Sequence, residues 1–114
     1  MEQKLKDNMN KITAKHAEIK KLCEEKQAKK QKACEMKIKA MGDYEKALEH
    51  KDHAGMKKTE EMCLDAKKMK LEAKKLGLKM LEIAMEMKKL KIEHCQLMID
   101  WETELMKKKY AMKW

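Results

Sequence analysis

From residue 62 onward the sequence places a large apolar side chain every seven residues: Met62, Met69, Leu76, Ile83, Leu90 and Leu97. Ala66, Ala73, Met80, Met87, His94 and Trp101 fill the alternate positions at steps of four and three, so both series share one stripe of an α-helix. A strand alternates its faces every two residues and would scatter this period over both. The repeat therefore demands a long helix with a neighbour along its length. A further series, Leu64, Leu71, Leu78, Met85, Ile92, Ile99 and Met106, keeps the same period on a different side. It predicts a helix with two apolar faces and more than one neighbour.

The preceding half is less regular. Leu5, Met9, Ile12, His16, Ile19 and Cys23 alternate steps of four and three and predict a helix of about six turns. EEKQAKKQK (24–32) then sets Lys26 and Lys30 on the face where a core would continue, which predicts a break at 26–31 or a helix running on through solvent. Apolar spacing resumes with Ala33, Ala40, Ala47 and Ala54, seven apart, a pattern that lets a second helix approach closely. Gly55 after His53 and Ala54, with Met56 beyond, has the form of a left-handed helix cap, and Thr59 followed by Glu60 and Glu61 that of a helix start. The main turn is accordingly expected at 55–59. Gly42 (42–43) and Gly77 are further possible breaks, although the seven-residue phase passes through Gly77 unchanged.

The composition agrees with helix throughout, since Lys, Glu, Ala, Leu and Met dominate and Pro is absent. At 114 residues the chain is long enough for one core. The expected fold is all-α: a single domain, 1–114, forming an antiparallel up-and-down bundle of three to four helices. The alternative is two long helices forming a hairpin that dimerises.

Arg, Ser, Val, Phe and Pro are all missing from a chain that spends 29 positions on Lys and 13 on Met, which points to a restricted-alphabet, de novo sequence. The same gaps remove chemistry: no guanidinium fork grips phosphate or carboxylate, and no serine serves as a nucleophile. Three glycines make no phosphate loop. Cys23, Cys34, Cys63 and Cys95 lack CxxC spacing, so free thiols and a cytoplasmic, non-secreted, soluble protein are expected. No apolar run approaches the roughly eighteen residues of a membrane span. The net charge of +9 is diffuse; its densest cluster is Lys107, Lys108 and Lys109 beside Tyr110 and Trp114. Such charge permits non-specific contact with a polyanion but no specific reading of nucleic acid.

The stretch GDYEKALEHKDHA resembles the second helix of a tetratricopeptide repeat, with Gly42, Ala47 and Ala54 at the family's small-residue positions. It departs where Gln31, Cys34 and Glu35 stand at the family's Trp, Leu and Gly, and where Thr59 replaces the proline. A second copy placed on Gly77 would put Glu82 and Lys89 at the alanine positions. The resemblance implies helix-pair packing through small residues.

His50 and His53 lie one turn apart and are candidate metal ligands together with Glu49 or Asp52. Met9, His16 and Cys23, and Met80, Met87, His94 and Cys95, carry soft ligands suited to Cu(I) or haem iron, but residues seven apart are about 10 Å apart along a helix and cannot share one ion. No cofactor is expected. The function expected is non-enzymatic and structural, with Met62, Met69, Leu76, Ile83, Leu90, Leu97 and Trp101 as the main packing surface. Its partner would be a second copy, as a homodimer, or another helical protein. Soft-metal or haem binding and non-specific polyanion binding are the alternatives.

Overall fold

A computed structural model describes residues 2–111. Two helices account for all of them except His50, Lys51 and Asp52: α1, Glu2–Glu49, and α2, His53–Ala111. The observed topology is thus the helical hairpin, and the bundle of three to four helices is not found. Neither Lys26 and Lys30 nor Gly42 or Gly77 interrupts a helix. Helix propensity is high on both sides of each site, and one unfavourable residue costs about 1 kcal/mol, less than breaking and renucleating the helix. Exposed pairs one turn apart reinforce the helices, among them Gln3 donating to Asp7 at 2.9 Å and Gln96 to Asp100 at 2.9 Å.

The turn lies at 50–52, three residues before the expected start at Gly55. Asp52 N–H donates to the Ala47 carbonyl (2.8 Å) and Lys51 N–H to that of Leu48 (3.2 Å), the paired bonds of a Schellman motif. Lys51 occupies the left-handed position, with φ 53°, where glycine is usual. Asp52 then caps α2, its carboxylate accepting from the Gly55 N–H at 3.0 Å. Gly55 is therefore inside α2. A Cβ on it would meet Asp52 Oδ2 at 2.6 Å and the Ala47 Cβ at 3.2 Å, so the position is reserved for the cap and for close helix approach. Thr59 is likewise interior, and its buried hydroxyl donates to the Met56 carbonyl at 2.8 Å.

The chain divides into two compact units. The turn unit comprises residues 21–80 and the end unit residues 2–20 with 81–111. In the turn unit the seam is small: Ala33, Ala40, Ala47, Ala66 and Ala73 are buried, flanked by half-buried Leu22, Met36, Met62, Met69 and Leu76. Lys26 and Lys29 also stand in this seam. The Lys26 ammonium reaches over Gly77, where an added Cβ would lie 2.9 Å from it, and Lys29 pairs with Glu72 at 3.1 Å. The end unit is built on larger side chains, with Ile83 buried and Leu5, Ile12, Ile19, Met87, Leu90, Leu97 and Trp101 half-buried.

The inner face of α1 is one helical step from the expected one. Asn8, Lys15 and Leu22 turn inward with Leu5, Ile12 and Ile19, whereas Met9, His16 and Cys23 are exposed. Lys15 meets Glu86 at 2.8 Å. Counting from this ion pair, Asn8 and His94 fall in the same layer of the end unit. Asn8 Oδ1 and His94 Nδ1 are both buried without a hydrogen-bond partner.

Candidate interaction surface

Two helices cover each other on one side only. Among the described residues no large side chain is fully buried, and the exposed surface is 9461 Å². The exposed large apolar side chains are concentrated on α2. Leu64, Leu71, Leu78, Met85, Ile92, Ile99 and Met106 are all exposed, each by more than half. Each lies two residues past a seam position such as Met62 or Met69, a rotation of about 200°, which sets the series opposite the seam. Leu81, Met98 and Leu105 widen the apolar face in the end unit.

Charge along α2 is unevenly distributed. Between Lys67 and Lys79 there are six lysines and one acid, Glu72. Between Ile92 and Met106 there are four acids, Glu93, Asp100, Glu102 and Glu104, and no lysine. The first block belongs to the turn unit and the second to the end unit. Each of Glu72 and Glu86 is already engaged by a lysine of α1. The Lys15 ammonium holds the Glu86 carboxyl below its ordinary 4.5, by its hydrogen bond first and its charge second, and Lys15 is raised above 10.5 for the same two reasons. Glu86 is exposed and Lys15 only half-buried, so water screens the pair and it adds little stability.

The residues expected to pack, Met62, Met69, Leu76, Ile83, Leu90, Leu97 and Trp101, all lie on the inner side of α2: Ile83 is buried and the others half-buried. They are divided between the units, the first three in the turn unit and the last four in the end unit. His50 lies in the turn and His53 opens α2, both exposed. Among the described residues no three His, Cys, Asp or Glu side chains gather as a metal site, so the two histidines acquire no third ligand. The cysteines are free, three of them exposed and Cys63 half-buried. Cys95 is exposed while the neighbouring His94 ring points inward, so the two form no nucleophile–base pair. Trp114, counted with the terminal lysine cluster, lies outside the described residues. No helix among the described residues is long and apolar enough to cross a membrane.

Depressions on the surface are open ones. The turn unit has one of about 430 Å³ beside Asp43, Ala47, His50, Asp52 and Gly55, and another of about 310 Å³ between Met41, Tyr44, Thr59 and Cys63. The end unit has one of about 520 Å³ beside Glu2, Lys6, Trp101 and Lys108. The apolar stripe on α2 was legible in the sequence as a period, but its exposure was not. Comparison with protein-family models, with curated proteins and with solved structures finds no match. The stretch resembling a tetratricopeptide helix is not one helix here: it forms the last turns of α1, the turn, and the first residues of α2.

Proposed function

We propose that this is a non-enzymatic structural protein whose activity is assembly through the outer face of α2. One observation carries the reading: seven large apolar residues, Leu64 to Met106, hold a strict seven-residue period and remain exposed. A regular exposed apolar stripe of this length is the signature of a helix awaiting a second helix. A second copy is the simplest partner, because it carries the same stripe. The absence of five common residue types supports a restricted-alphabet, de novo origin with no evolved substrate.

Sedimentation velocity on reduced protein over rising concentration tests this. The mass of the wild type is expected to climb above 13.5 kDa. A triple variant, Leu71→Glu, Leu78→Glu and Ile92→Glu, is expected to keep its helicity and remain monomeric at every concentration. A wild type that stays monomeric over the same range would sink the reading.

A further inference from the structure

Resting on that reading, we infer that the partner is a second copy of this chain and that its α2 lies antiparallel to the first. The lysine-flanked rungs of one turn unit then meet the acid-flanked rungs of the other copy's end unit. The regular stripe is symmetric about Met85: Leu64 is paired with Met106, Leu71 with Ile99, and Leu78 with Ile92. The charge blocks share that centre, since 67–79 and 92–106 lie on either side of Met85 at nearly equal distances. Spacing and charge thus select the same register independently.

In this register Lys67 comes beside Glu102 of the second copy, Lys79 beside its Glu93, and Glu82 beside its Lys89. Each such contact occurs twice by symmetry. Two like-charge encounters oppose them, Glu72 with Asp100 and Glu86 with its own counterpart. Both of those glutamates are already neutralised within the chain, by Lys29 at 3.1 Å and Lys15 at 2.8 Å. A parallel pairing would set the six lysines of 67–79 against the same six in the partner, with the acids equally opposed to acids. Like charges in that arrangement repel along the whole stripe. The stems of the lysines that flank the turn-unit rungs can lie along the apolar surface with their ammonium groups in water, so the stripe can close there without burying charge.

The test is a disulfide map. Cys23, Cys34 and Cys63 are changed to Ala, Cys95 is kept, and Lys74→Cys is introduced; in the antiparallel register position 74 of one copy faces Cys95 of the other. Mild oxidation is expected to yield a covalent dimer linked 74 to 95, in at least tenfold excess over 95 to 95 by peptide mapping. The same protein retaining Lys74 is expected to form almost none. Circular dichroism checks that helicity is unchanged in both. A covalent dimer linked mainly 95 to 95 would show parallel pairing and overturn the inference while leaving assembly itself intact. An associated species without the 74 to 95 link would overturn it in the same way, as would a trimer or an aggregate formed only with added polyanion. A protein that sediments as a monomer overturns this inference and the functional reading together.

Discussion

The two units are built from the same two helices and yet solve different packing problems. In the turn unit five alanines form the buried seam, so the backbones approach closely and little side-chain volume separates them. In the end unit Ile83, Leu90, Leu97 and Trp101 set large side chains in the seam, so each layer depends on apolar area. The turn unit is constrained by shape and the end unit by hydrophobic area. The first therefore has no tolerance for added volume, and the second none for lost volume.

Reciprocal substitutions test this most directly. Ile83→Ala in the end unit should cost about 2–3 kcal/mol, because a buried side chain is removed and the helices only partly collapse on the gap. Ala40→Leu in the turn unit should cost a similar amount, roughly 1–3 kcal/mol, by forcing the helices apart. Hydrogen exchange resolved by residue should place the first loss in the end unit and the second in the turn unit. Equal effects across both would show that the units do not pack independently.

A smaller effect of opposite sign is expected at the polar layer of the end unit. Asn8→Leu should raise stability by about 1–2 kcal/mol, read as a higher melting temperature, since it removes an unpaired buried oxygen. A polar layer in an apolar seam also marks register, so the same variant should show slippage, as doubled resonances for its neighbours. A lower melting temperature would mean that Asn8 finds a partner in solution.

At the turn, Lys51→Gly should stabilise by about 1 kcal/mol, because Lys51 holds a left-handed conformation that costs a side-chain-bearing residue about that much. Gly55→Ala should lower stability by roughly 1 kcal/mol, since its Cβ would displace the Asp52 carboxylate that caps α2. Gly42→Ala meets nothing within 4 Å and should raise stability by about the same amount through propensity alone. Chemical denaturation of the three variants checks the signs.

The smallest effect concerns the Lys15–Glu86 pair. The Glu86 carboxyl is lowered in the folded protein, so its contribution is present above its ordinary 4.5 and is lost as pH falls through the lowered value. Lys15 is raised, so its contribution is complete below 10.5 and is lost as pH rises past the raised value. Glu86→Gln should therefore melt slightly below the wild type near neutral pH and converge with it in strong acid. A gap that persists in acid would trace the effect to packing.

The inner seam of α2 could be read in full because a seven-residue repeat leaves only one helical phase. The inner face of α1 could not. Met9, His16 and Cys23 outscore Asn8, Lys15 and Leu22 as apolar positions, and local periodicity favours them. The phase of a 48-residue helix is decided over its whole length: Ala33, Ala40 and Ala47 continue the Leu5, Ile12 and Ile19 series by sevens, and the series that completes the inner face runs through Asn8, Lys15, Leu22, Lys29 and Met36. The lysines at 26 and 30 resembled a break because burying a cation is costly; in the structure Lys30 is exposed and it is Lys26 and Lys29 that stand in the seam. They are tolerated where Gly77 leaves room for Lys26 and Glu72 meets Lys29, partners more than forty residues away. At the turn, Gly55 and Thr59 carried the expected signals, but Lys51 and Asp52 make the motif.

What the sequence by itself determined is the helical class, the phase of α2 and the presence of two apolar faces, because propensity and periodicity are local and additive along a chain. Tertiary structure alone decided where the chain reverses, which face of α1 turns inward and which stripe of α2 is left uncovered. Each of those choices rests on contacts between residues distant in sequence, and no local pattern encodes them.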